Sequence, residues 1–198
     1  VPSANNRALI AISMPFTFYQ PYLIGSATPT APELFFGRID EVLSVESPQG
    51  VNIIYGGRQL GKTAILKKAE KETHDPENGR YAFTIEIDKC DCKKAALKVS
   101  DFLRSEGILN SDQIVDDWDQ LTSYLRKSII EKSFSYILLM LDEADSFIDD
   151  CQNYAYAPFV ALKNLQQSSN NKFKFVVAGL HDVVKFKRKV ALGNNSVS

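Results

Sequence analysis

The sequence is poor in the residues that mark a protein at first sight. Its 198 residues hold three cysteines, two histidines, two methionines and one tryptophan. Cys90, Cys92 and Cys151 are an odd count with no framework spacing. That excludes a disulfide scaffold and fits reduced thiols in a cytoplasmic protein. Cys90-Asp91-Cys92 offers two thiolates, but no second Cys/His pair stands near it, so these are read as loop cysteines rather than zinc ligands. Charge of one sign is lacking too: 23 basic residues against 24 acidic give a net charge of −1, which leaves no overall basic field to hold nucleic acid. Nucleic acid is therefore expected as a partner only through regions outside this chain. The longest strictly apolar run, Ile137 to Leu141 after Tyr136, is far too short to span a membrane. The chain opens on Val1 and carries no charged, apolar and cleavage-site succession, so it is expected to be a piece of something longer.

What is present is ordinary in bulk and specific in detail. Apolar residues make up 44% and charged ones 24%, enough for one sizeable core. Prolines recur at Pro2, Pro15, Pro21, Pro29 and Pro32, so 1–32 reads as a linker or wrapping arm and 33–198 as the core domain. Ile39 to Val45 has the look of a short helix closed by the turn Ser47-Pro48-Gln49-Gly50. Beyond it, β-rich and helical periods alternate. Strands are expected at Val51–Tyr55, Tyr81–Ile87, Tyr136–Leu141 and Phe173–Ala178. Helices are expected at Lys62–Thr73, Lys93–Ser105, Asp112–Lys132 and Pro158–Gln167, with one more near Val183–Val190. In Lys93–Ser105 the apolar residues noted are Leu97, Phe102 and Leu103, and in Asp112–Lys132 one face carries Trp118, Leu121, Leu125 and Ile129. Strands alternating with helices imply an α/β fold with a parallel sheet covered on both faces.

Gly56-Gly57-Arg58-Gln59-Leu60-Gly61-Lys62-Thr63 fits G-x-x-x-x-G-K-[ST] at every fixed position, between an expected strand and an expected helix that continues through Ala64. A chance match in a chain this long is on the order of one per cent. Glycines let successive backbone N–H groups converge on phosphate oxygens, and the helix that follows presents its free N–H groups and positive dipole end. Lys62 is expected on the β and γ phosphates and the Thr63 hydroxyl on Mg²⁺. The second signal is the apolar strand Tyr136-Ile137-Leu138-Leu139-Met140-Leu141 ending in Asp142-Glu143. Asp142 is expected to hold Mg²⁺ together with Thr63, and Glu143 to polarise the attacking water as general base.

Asp142-Glu143-Ala144-Asp145 also spells the box of DEAD-type helicases. Those need a second RecA-like domain for which this chain has no room, so Asp145 is read as a helix cap or loop residue. An [NT]-K-x-D guanine loop is lacking: Asn171-Lys172-Phe173-Lys174 has no Asp and precedes its strand, which favours ATP over GTP. His74 lies in a polar turn and is read as solvated. Lys185, Lys187, Arg188 and Lys189 suit a phosphate contact, a finger acting in trans or a solvated helix face, the last being the simplest.

The order Pro21-Tyr22, Phe35-Phe36-Gly37-Arg38, glycine-rich loop, Asp142-Glu143 and Val176-Val177-Ala178-Gly179-Leu180-His181 resembles the AAA+-related P-loop ATPases, especially the STAND signalling ATPases, and is similar to origin-recognition initiator ATPases. The resemblance implies a three-layer P-loop NTPase fold in which a further strand, here Phe173–Ala178, sits between the glycine-loop strand and the strand ending in Asp142. It implies that Phe36, Gly37 and Arg38 pack by the adenine, and that the polar sensor beyond that further strand is His181, unless His181 is a plain loop histidine. Ile39 stands where the family has Glu, and an acidic pair follows at Asp40-Glu41. The chain stops near where the family's last core strand and helical lid begin, so weak binding and slow hydrolysis are expected of it alone. The leading expectation is the MgATP-binding core of a larger ATP/ADP-driven switch, with missing domains of a longer chain as its partners. The alternative is the ATPase core of a DNA-acting initiator or loader.

Overall fold

A computed structural model describes residues 38–57 and 60–179. The expected N-terminal arm, Phe36, Arg58, Gln59, His181, the helix near Val183–Val190 and its basic cluster lie outside the described residues.

Chain order begins with α1 (Ile39–Glu46), β1 (Ile53–Tyr55), α2 (Lys62–Thr73) and β2 (Arg80–Glu86). It continues through α3 (Cys92–Ser105), α4 (Trp118–Glu131) and β3 (Tyr136–Asp142) to α5 (Asp145–Cys151), α6 (Ala157–Ser168) and β4 (Phe173–Gly179). The four strands form one all-parallel sheet in the order β1-β4-β3-β2. β4 therefore lies between the strand before the glycine-rich loop and the strand ending in Asp142, as the sequence led us to expect.

β3 and β4 are buried at every position, which is why both read as unbroken apolar runs rather than alternating ones. The register gives each face its owner. Phe83, Leu139 and Phe175 are partners across the strands, and their face packs with α3, α4, α5 and α6 into one core containing Trp118, Leu121, Phe147 and Phe159. The opposite face carries Thr84, Met140 and Val176, with α2 laid over β2 and β3 and α1 beside α2. Ile65, Leu66 and Ala69 of α2 are fully buried there, each large side chain contributing about 2 kcal/mol of apolar burial.

Lys174 of β4 points to this second face and is completely buried. Its ammonium donates to the carbonyls of Ser44 (2.8 Å) and Ser47, satisfying the open C-terminal end of α1. Burial lowers its pKa to about 8. Gly50 makes this junction possible, since a Cβ there would stand 1.8 Å from the Ser44 carbonyl oxygen.

Several expectations need correction. α4 begins at Trp118, not Asp112, because Asp117 caps it: its carboxylate accepts from the backbone N–H of Gln120 at 2.8 Å, and the Gln120 side chain returns to the N–H of Asp116. In α3, Leu97 is exposed, and the buried stripe is Cys92, Ala95, Ala96, Val99, Ser100 and Leu103. α5 was not expected as a helix at all. His74 is exposed, as expected, and in addition its Nδ1 meets the backbone of Ala82 and its ring packs edge-on against Tyr81 and Phe83.

Candidate functional site

All strands run the same way, so the carboxyl ends of β1, β4 and β3 open on one edge of the sheet. In open α/β sheets that edge is where ligands bind. Gly56 and Gly57 leave β1 there, and Leu60 and Gly61 lead back into α2 at Lys62. Gly61 caps α2 with φ 74°, a left-handed conformation that a residue with a Cβ adopts only under strain. Lys62 is buried, and its ammonium donates to the carbonyls of Gly56 and Gly57, both at 3.0 Å. The cation is thus drawn across the glycine-rich loop, and its hydrogen-bond partners among the described residues are backbone carbonyls, which it can give up to a stronger acceptor. Ala64 is half-buried in the first turn of α2.

The Thr63 hydroxyl donates to Asp142 Oδ2 at 2.6 Å, a charge-assisted bond joining α2 to the end of β3. Asp142 is buried, and its other oxygen accepts from the backbone N–H of Glu143 at 2.9 Å. Glu143 itself sits at φ 51°, outside the regions a side-chain-bearing residue prefers. Desolvation raises its carboxyl above the ordinary range, the charge of Asp142 raises it further, and Lys62 opposes both. Glu143 thus combines a left-handed backbone with a perturbed acid, and perturbed acids cluster at functional sites. Asp145, expected as a cap or loop residue, is the first residue of α5 and lies against Gly179, where a Cβ would come 3.2 Å from its carboxylate. The backbone N–H of Ala144 bonds the carbonyl of Ala178, so the turn after Asp142 is held directly on β4.

Arg38 is placed against the loop. Its guanidinium donates to the Leu60 carbonyl and to Glu41 Oε1, the latter at 3.2 Å. The Arg38 bond is the main cause that holds the Glu41 carboxyl below its usual range. Sequence reasoning named Arg38 but missed Glu41 as its partner. The signal was there in Asp40-Glu41, since a carboxylate three residues on shares the helix face. Between α1 and β1 lies an open groove of about 330 Å³, lined by Arg38, Glu41, Ser44, Val51, Ile53 and Tyr55 among others. It borders the glycine-rich loop.

The site thus brings together Gly56, Gly57, Leu60, Gly61, Lys62, Thr63, Ala64, Asp142 and Glu143, with Arg38 at its rim. Phe36, Arg58, Gln59 and His181 are not described. Asn171 and Lys172 precede β4 and so stand at the opposite edge of the sheet. Cys90 and Cys92 form no metal cluster among the described residues, and no described helix is long and apolar enough to cross a membrane. No protein-family model matches the chain, and no curated protein matches it significantly.

Proposed function

We propose that this chain is the nucleotide-binding core of a P-loop ATPase of the AAA+-related, STAND-like group, taking ATP with Mg²⁺ and hydrolysing it to ADP and phosphate. The observation that carries the reading is the convergence of Lys62, Thr63 and Asp142. A buried ammonium rests on the carbonyls of a glycine-rich loop, and 2.6 Å joins the next residue's hydroxyl to a buried carboxylate from another strand. The strand order β1-β4-β3-β2 supports the same group.

The donor set fits the cation. A hydroxyl and a carboxylate oxygen, both hard ligands, already face each other with no thiol or imidazole at that contact. Thr63 and Asp142 would hold Mg²⁺, which when bound neutralises charge on the phosphate oxygens. The chain's own residues do the rest. Backbone N–H groups of the loop and the first turn of α2 bind phosphate. Lys62 exchanges carbonyl partners for phosphate oxygens. Glu143 accepts a proton from the attacking water, and its raised pKa keeps it a better base than an ordinary carboxylate. The groove between α1 and β1 lies where the nucleoside would extend, with Arg38 and Glu41 on its wall. Asn171 and Lys172 lie on the far edge, away from any base bound there, so ATP rather than GTP is the proposed nucleotide. ATP and ADP would differ in their contacts at Lys62 and Glu143, which makes the site suited to a switch that repositions other domains of a longer protein.

Calorimetry with ATP and ADP in the presence of Mg²⁺ tests the proposal. Wild type is expected to bind both, and Lys62→Ala to lose about 10- to 100-fold in affinity, the worth of a charged hydrogen bond or two. Binding of neither nucleotide by wild type overturns it.

A further inference from the structure

Away from the nucleotide site, two sulfurs meet in the core. Cys92 opens α3 and Cys151 closes α5, 59 residues apart in sequence, yet their Sγ atoms stand 3.0 Å apart. A disulfide bond needs them to close to about 2.0 Å, a movement of about 1 Å. Neighbours hold both backbones in place. The Cys92 N–H donates to Asp150 Oδ2 at 2.9 Å, the indole N–H of Trp118 donates to the Cys92 carbonyl at 2.9 Å, and the N–H of Tyr156 donates to the Cys151 carbonyl at 2.8 Å.

The two thiols differ in access. Cys92 is 6% exposed and lines an open groove of about 270 Å³ walled by Trp118, Tyr154 and Pro158. Cys151 is completely sealed behind it. Of the two residues Cys92 is therefore the nearer to solvent, and its sulfur is the first that an oxidant entering from the groove would meet. Ala155 and Tyr156, both in left-handed backbone conformations, follow Cys151 beside this groove.

We propose that Cys92 and Cys151 form a dithiol modification site that a small soluble disulfide oxidises to an intramolecular bond, with Cys92 attacking and Cys151 resolving. Cys92, having lost its proton, attacks one sulfur of the oxidant; the oxidant's S–S bond breaks and its first half leaves as a thiol carrying that proton. The second half, now joined to Cys92, occupies the groove. Cys151 then attacks Cys92 Sγ, the mixed disulfide breaks, and the second half departs as a thiol with the proton of Cys151. The protein loses two electrons and two protons, and the oxidant gains them. The bond ties the start of α3 to the end of α5, the helix whose first residue lies two beyond Glu143. The site stands whether or not Lys62 and Thr63 bind a nucleotide.

The test treats the folded full chain with hydroxyethyl disulfide, then unfolds, alkylates and maps it by mass spectrometry. Free thiols are expected to fall from three to one, the mass to fall by two hydrogen atoms, and one cross-linked peptide to join Cys92 to Cys151. Dithiothreitol restores all three thiols. Cys90→Ser is expected to give the same cross-link, and Cys151→Ser to stop at a mixed disulfide on Cys92. Trp118, the single tryptophan, reports the bond in the folded wild type by a loss of fluorescence that dithiothreitol reverses. An unreacted native protein, an adduct confined to Cys90, or a cross-link that includes Cys90 overturns the proposal. If Cys151→Ser does not fold, the wild-type peptide map and Cys90→Ser decide alone.

Discussion

The hydroxyl of Thr63 donates to the carboxylate of Asp142 across 79 residues of sequence, at 2.6 Å, and so locks the first turn of α2 to the end of β3. Thr63→Ala removes the donor and leaves a buried carboxylate with the Glu143 N–H as its remaining described partner. The fold is expected to lose about 1.5–3 kcal/mol, read by urea denaturation. Nucleotide affinity is expected to lose most of its dependence on Mg²⁺, read by calorimetry with and without the cation.

Glu143→Gln separates stability from turnover. A carboxyl whose folded pKa is raised binds its proton more tightly in the native state than in the unfolded chain. Between its ordinary value of 4.5 and the raised one, stability therefore falls as pH rises, and the ionised group works against the fold above that window. Glutamine removes the charge, so the variant is expected to melt higher than wild type at neutral pH and to melt no higher well below pH 4. ATP hydrolysis is expected to fall about 10²- to 10⁴-fold with nucleotide binding retained. A phosphate-release assay run beside thermal melts checks both halves.

Lys174 gives the opposite sign at the other end of the pH scale. Its folded pKa is about 8 against an ordinary 10.5, so between those values the unfolded chain holds the proton that the native protein has released. Stability from this group is therefore expected to rise with pH across that window. Lys174→Met should flatten the rise in a series of urea titrations. Near pH 7 it should also cost about 1–3 kcal/mol by leaving the Ser44 carbonyl buried without its ammonium donor.

Gly61→Ala tests the loop's conformation. With φ at 74° and the nearest side-chain atom, Arg38 Nη1, an ordinary 3.5 Å from the added carbon, the penalty is backbone strain rather than collision. About 1–2 kcal/mol is expected, shared between a lower unfolding midpoint and a weaker grip on ATP. Equal stability and equal affinity would show that the loop does not need this conformation.

Most of the site was legible because its spacing is covalent. Gly56 to Thr63 carry their geometry in eight consecutive residues, and the helix from Lys62 to Thr73 has the bounds that its apolar spacing predicts. β3 was equally plain, since an unbroken apolar run ending in Asp142-Glu143 describes both burial on two faces and an exit at the sheet edge. What could not be read depended on side chains meeting through space. Leu97 stands out in the sequence of α3 as an apolar residue, yet the helix buries Ala95, Ala96 and Val99, small residues that let it approach closely. α5 hid behind its aspartates: Asp145, Asp149 and Asp150 blur a pattern in which Phe147, Ile148 and Cys151 face inward. The bond of Arg38 to the Leu60 carbonyl was not readable either, because the two stand 22 residues apart. The sulfur contact of Cys92 with Cys151 has no local signature at all.

The placement of β1 has a consequence for how the protein is made. Among the described strands its three residues pair with β4 alone, and β4 is the latest of those strands to emerge during synthesis. The pairing of β2 with β3 can form as soon as β3 has emerged, but Ile53, Ile54 and Tyr55 must wait for Val177, Ala178 and Gly179. Contacts this far apart in sequence form slowly, because a long loop must close before it is rewarded. A nascent chain released short of β4 would carry the whole glycine-rich loop with no strand beside which to anchor it. The anchoring of the glycine-rich loop is therefore among the last of the described features to form as the chain leaves the ribosome, although its residues are among the first described ones to emerge.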